Sequence, residues 1–196
     1  MQFRKNINSL RALAVISVVL FHFKIGGFGG GFAGVDIFFV ISGFLMTGII
    51  VNGLHNQNFS LLGFYASRAR RIIPALLTLC AALLIFGFVY FSLDDYRELI
   101  RAIKSSLLFS SNFMFAKSGG YFDAPLHENW LLHTWSLSLE WQFYMLYPVL
   151  LMTLYKLLGI HKTKTVLVLL AVGALGTSDY LTKTNPDFAF YMLPNS

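Results

Sequence analysis

Residues 11–23 read RALAVISVVLFHF, an apolar stretch with an arginine at one end and a histidine at the other. A run of Ala, Val, Ile, Leu and Phe interrupted only by Ser17 reads as a membrane-spanning helix. Ionisable side chains inside such a segment are rare, and they usually face the interior of a bundle. Arg11 and His22 are eleven positions apart. At ~100° per residue this is about three turns plus ~20°, so both lie on one helix face, ~16 Å apart along the axis. A ligand lying along this helix could touch both ends, although Arg11 could also simply snorkel to lipid headgroups.

The rest of the 196-residue chain supports lipid as the solvent. It is 56% hydrophobic and 12% charged and contains 20 Phe, whereas a soluble domain carries roughly 25% charged residues. The length allows about five to seven spans with short connections. The expected fold class is all-α, a polytopic transmembrane helix bundle. Spans are expected at about 10–25, 32–51, 72–91, 134–155 and 163–178. The glycines at 26, 27, 29, 30 and 31 would form a tight turn between the first two. Residues 52–71 read as a polar loop, with Pro74 in the first turn of the helix that follows. Residues 117–133 read as a loop, and a polar tail follows the last span.

Residues 96–116 are ambiguous. DDYRELIRAIK (94–104) is charged with a helical pattern, and SSLLFSSNFMFA (105–116) is apolar but short. The region either crosses obliquely or lies along the interface and dips in.

The net charge of +6 sits beside the apolar spans. Topology therefore explains it, and no nucleic-acid partner is expected. Arg4, Lys5, Arg68, Arg70 and Arg71 would share the cytoplasmic side, which makes the N-terminus cytoplasmic. Lys156, Lys162 and Lys164 join them only if residues 94–116 do not fully cross. Arg4 and Lys5 could also open a signal peptide, but no small-residue cleavage pattern follows the apolar core. The single cysteine, Cys80, excludes an internal disulfide and a thiolate zinc cluster, and no metal is expected.

The second span begins GFAGVDIFFVISGF (31–44) and carries Asp36. His22 and Asp36 lie about six to eight residues from the centre of the glycine turn, on antiparallel arms, so they should share a depth. A carboxylate beside an imidazole fixes its tautomer and stabilises the imidazolium, as a general base requires. The same pair could instead be a structural hydrogen bond between helices. Gly34, Ser42 and Gly43 also have a packing role open to them. Further along, His133, Ser136, Glu140, Tyr144 and Tyr147 make one polar helix face. Glu140 sits deep in TWSLSLEWQFYMLYP (134–148) and could pair with His22 or with an arginine. Arg68 and Arg71 in YASRARRIIP (65–74) share a face, and guanidinium groups bind phosphate bidentately. Neither a Gly-rich phosphate loop nor a GxSxG or HExxH motif is present. Two classes fit this polar seam. One is a membrane enzyme that takes an anionic cytoplasmic donor and uses a histidine base. The other is a proton-coupled transporter of acyl groups or small solutes.

Four blocks in order decide between them: FRKNINSLRALAVISVVLFHF (3–23), GGGFAGVDIFFVISGFLMT (29–47), FYASRARRIIPAL (64–76) and LLHTWSLSLEWQFYMLYP (131–148). They resemble the motif blocks of the acyltransferase family 3 membrane enzymes, which O-acylate bacterial surface glycans. Asn8 and Ser9 stand where the family often has Asp-Gly. The resemblance implies transfer of an acyl group, usually acetyl, from cytoplasmic acyl-CoA to a carbohydrate hydroxyl such as one of a lipopolysaccharide or exopolysaccharide. It implies a bacterial inner-membrane location. It places coenzyme A phosphates on Arg68 and Arg71, with Arg11 beside them, and the thioester toward His22, as base or as acyl carrier. Asp36 or Glu140 would orient that histidine. The family domain has more spans than this chain, so a fragment or truncated product, inactive alone, is a further expectation.

Overall fold

The computed structural model describes residues 5–27, 29–118, 130–184 and 191. All regular structure among them is helical. The chain forms two compact units, residues 1–59 and 60–196.

The first unit is a helical hairpin. Helix α1 (Lys5–His22) leads through a glycine-rich connection into a single 3-10 turn (Gly31–Ala33) and then helix α2 (Gly34–His55). Close approach of the two arms requires glycine at two points. A Cβ on Gly31 would lie 2.3 Å from the Ser17 carbonyl oxygen, and one on Gly34 would lie 2.6 Å from that of Ala14. Small residues thus let the backbones touch where lipid offers no hydrophobic drive to bring them together. The connection itself departs from expectation. The left-handed residue that ends α1 is Lys24, with φ 53°, not a glycine. Ile25 N–H donates to the Leu20 carbonyl (3.1 Å) and Lys24 N–H to that of Phe21 (2.9 Å), the paired bonds of a Schellman cap. The same cap ends α2 at Gln57 (φ 53°), where Asn58 N–H donates to the Gly53 carbonyl at 2.9 Å.

The second unit opens with helix α3 (Leu61–Tyr90), capped by Ser60, whose hydroxyl accepts from Gly63 N–H at 3.1 Å. This corrects the expected 52–71 loop. Residues 61–71 are helix, so the arginines lie two to three turns inside α3. Pro74 is interior rather than in a first turn. The helix runs through it, with Arg70 Nε donating to the Ala66 carbonyl (3.2 Å) on one side of the proline and Thr78 Oγ1 donating to the Pro74 carbonyl (2.9 Å) on the other.

The ambiguous region resolves into helix α4 (Leu93–Leu107) and helix α5 (Ser111–Ser118), separated by a turn at Phe109 (φ 50°). At 1.5 Å per residue α4 is ~22 Å long, short of a ~30 Å hydrocarbon core. Its Leu99, Ala102, Ile103 and Ser106 are buried, while its acidic and basic residues are exposed. Ser92 caps it, exchanging bonds with Asp95. A core of Leu76 and Cys80 from α3, Leu99, Ala102 and Ile103 from α4, and Leu131 joins these elements. Gly87 admits the Leu99 side chain, which a Cβ there would meet at 2.7 Å.

Helix α6 (Thr134–Thr184) is two helices merged across Gly159, whose φ 72° and ψ 170° are not helical. It includes residues 179–184, expected as polar tail. Of the expected loop 117–133, residues 119–129 lie outside the described residues, as do 185–190 and 192–196 of the tail. Three helical stretches, Gly31–His55, Leu61–Tyr90 and Thr134–Thr184, are long and apolar enough to cross a membrane, and Asn6–His22 is a shorter apolar helix.

Candidate functional site

In the first unit, α1 presents Arg11 and His22, and α2 presents Asp36. The hairpin turns Ala14, Ser17 and Phe21 of α1 toward the glycine contacts. Arg11 and His22 flank that strip. Arg11 is half-buried, and its Nε is buried without a hydrogen-bond partner among the described residues. His22 ends the helix and is exposed on this unit, its ring edge-on to Phe21 at 5.4 Å. Phe21 in turn stands edge-on to Phe32 at 5.8 Å. Asp36 is also exposed, two residues beyond Gly34 and so on another side of α2 from the glycine contact. No hydrogen bond or ion pair joins Asp36 to His22 among the described residues. Gly34 has the packing role open to it, whereas nothing lies within 4 Å of a Cβ built on Gly43. Ser42 is buried.

In the second unit, α3 and α6 bring Arg68 to the polar face of α6. The Arg68 guanidinium carbon lies 5.2 Å from the Phe64 ring centroid and 5.4 Å from that of Tyr144. Those two rings meet at right angles, 6.5 Å apart. The Tyr144 hydroxyl donates to Glu140 Oε1. The neighbouring Tyr65 hydroxyl donates to the Met145 carbonyl at 2.8 Å, which fixes the register of α3 on α6. Arg68 therefore rests against aromatic rings, while its Nε is buried with no acceptor among the described residues. Ion pairs recorded among those residues join Arg97 to Asp94 and Lys183 to Asp179, none at Arg68. Arg71 and Arg70 are exposed. Among the described residues, Tyr144 thus links the Glu140 carboxylate to the Arg68 guanidinium.

Of the polar stripe on α6, Tyr144 is buried, Ser136, Glu140 and Tyr147 are half-buried, and His133 is exposed. A second polar group was not singled out by the sequence reading. The hydroxyls of Ser106 and Thr134 are 2.7 Å apart, those of Ser111 and Ser138 2.7 Å, and Thr134 reaches Ser111 at 3.1 Å. Gln142 Nε2 donates to the Phe109 carbonyl and to Asn112 Oδ1, both at 2.9 Å. Phe109 stacks on Trp141 with centroids 4.4 Å apart. This clasp fastens α4 and α5 to α6 in the stretch that carries Glu140. Its only signal in the sequence is Ser and Thr recurring at helical spacing in apolar surroundings, as at Thr134 and Ser138.

The family described as acyltransferase domain matches residues 4–194. Similar proteins include an uncharacterised protein of Haemophilus influenzae, 43% identical over 121 residues, or 62% of this chain and 49% of that protein. The peptidoglycan O-acetyltransferase OatA of Listeria monocytogenes is 34% identical over 193 residues, which are 95% of this chain and 30% of the relative. The O-acetyltransferase OatA of Staphylococcus aureus is 33% identical over 184 residues, covering 91% and 30%. The chain thus spans about half or less of the length of these relatives. No solved structure matches it. With a family match over nearly its whole length and several helices apolar enough to span a bilayer, the chain belongs to the acyltransferase domain family and is a multi-pass membrane protein.

Proposed function

We propose that the protein containing this chain is a membrane O-acyltransferase that moves an acyl group, acetyl in the first instance, from acyl-CoA to a hydroxyl of a cell-surface glycan. The observation that carries this reading is Arg68. A guanidinium is held among apolar and aromatic side chains with no carboxylate on it among the described residues. Guanidinium N–H groups in such a place suit the phosphates of an incoming anionic donor. Exposed Arg71 on the same helix, and Arg11 on α1, extend the same chemistry.

His22 is the base in this reading. Its imidazole takes the acceptor hydroxyl proton while the oxygen attacks the thioester carbonyl. The carbon–sulfur bond breaks, and coenzyme A leaves as thiolate and recovers the proton. Acyl transfer through the imidazole nitrogen is the stepwise version of the same exchange. Asp36, on the other arm of the same hairpin, is the carboxylate this reading assigns to orienting His22. Glu140 acts on the Arg68 side, through Tyr144.

The acceptor is proposed as a surface glycan, with peptidoglycan favoured over lipopolysaccharide because one relative is named for peptidoglycan. The location proposed is the bacterial inner membrane with the N-terminus cytoplasmic. Helices α4 and α5, too short to span alone, let Lys156, Lys162 and Lys164 reach the same side as Arg68, Arg70 and Arg71. The test is acetylation of surface glycan in cells expressing the full gene. His22→Ala is expected to abolish it at unchanged protein level, and undiminished acetylation would remove His22 from the chemistry. Uptake driven by a pH gradient, with no acetyl reaching glycan, would mean a transporter instead.

A further inference from the structure

We infer that Tyr144 is a positioning residue with two separable duties: its ring seats the Arg68 guanidinium, and its hydroxyl holds the Glu140 carboxylate. The inference rests on the acyl-CoA reading above. Tyr144 is 5% exposed, with little of its side chain left for substrate, and acts through its neighbours. On its ring face lies the Arg68 guanidinium carbon, 5.4 Å from the centroid. The Phe64 ring, at right angles to it, completes a two-walled seat. A cation against aromatic faces keeps its in-plane N–H groups for another partner, whereas a carboxylate would consume them. From the same residue the hydroxyl donates to Glu140, one helical turn earlier on α6. That bond holds the carboxylate on the tyrosine, and no ion pair joins it to Arg68 among the described residues. Tyr144 therefore keeps apart two opposite charges that would otherwise collapse into an ion pair, and leaves Arg68 available to phosphate.

The two duties predict opposite kinetic signatures. In the full-length protein, Tyr144→Phe retains the ring but removes the hydroxyl bond that Glu140 accepts. Without that bond the carboxylate competes for Arg68, so the KM for acetyl-CoA rises and Glu140→Gln in the same background restores it. Tyr144→Leu removes the seat itself. Its KM rises by about three- to thirty-fold, the range of a desolvated cation–π contact, and Glu140→Gln does not rescue it. Direct titration with coenzyme A, and thermal melting in detergent, accompany each variant so that misfolded protein is recognised. Rescue of Tyr144→Phe but not of Tyr144→Leu is the expected result. Equal behaviour of the two variants, or no rescue in either, overturns the inference. Wild-type protein that neither binds coenzyme A nor transfers acetyl would overturn the donor reading itself, which distinguishes the two failures.

Discussion

Replacing Arg68 by alanine should separate binding from stability. The Nε–H is buried without an acceptor among the described residues, and an unsatisfied buried donor costs ~1–3 kcal/mol. Against this stand two ring contacts, at 5.2 and 5.4 Å, each contributing ~0.5–2 kcal/mol according to how dry the site is. The terms nearly cancel, so Arg68→Ala is expected to change unfolding free energy by no more than ~1 kcal/mol. Donor binding should behave differently. A hydrogen bond to a charged group contributes ~1.5–3 kcal/mol, and ~1.4 kcal/mol is tenfold in affinity. Coenzyme A should therefore bind ~10- to 150-fold more weakly. The assay is calorimetric titration of the full-length protein in nanodiscs, paired with thermal melting of the same preparation. Unchanged affinity would refute the phosphate role. A large drop in melting temperature would show that Arg68 is a structural residue and that the cancellation is wrong.

Two further contrasts test the packing. Gly34→Ala forces a Cβ to within 2.6 Å of the Ala14 carbonyl and should cost ~1–3 kcal/mol, whereas Gly43→Ala, with nothing within 4 Å, should be neutral or stabilise by up to ~1 kcal/mol through helix propensity. Equal effects on unfolding in detergent would deny the close helix contact. Gln57 and Phe109 both hold left-handed backbone, at φ 53° and 50°. Gln57→Gly should gain ~1 kcal/mol, while Phe109→Gly should lose ~1–3 kcal/mol because the Trp141 stack goes with it. Stabilisation by both would show that the stack contributes nothing.

The apolar runs made the long helices legible, because in lipid a backbone must bond within its own segment and hydropathy alone reveals it. Helix ends were less legible. LLGFYAS reads as either loop or helix, and only the Ser60 cap distinguishes them. Pro74 suggested a start because proline favours first turns, yet a long helix carries it inside. The left-handed caps at Lys24, Gln57 and Phe109 were invisible for a related reason: a glycine is expected there and none is present. For the site, the residue types were legible but the partners were not. Glu140 was expected to meet His22 or an arginine; within its own unit it accepts from a tyrosine one turn away on the same helix, a partner the reading did not name. The Arg68 seat depends on the register of α3 against α6, and no local spacing encodes that.

Transfer of radiolabelled acetyl tests the central claim most directly. Full-length protein would be reconstituted in vesicles with labelled acetyl-CoA on the side of Arg68 and a glycan acceptor on the other. The account predicts label in the glycan, dependent on His22 and saturating with acetyl-CoA. Label that stays in acetyl-CoA while the same protein acetylates glycan from another donor would contradict it.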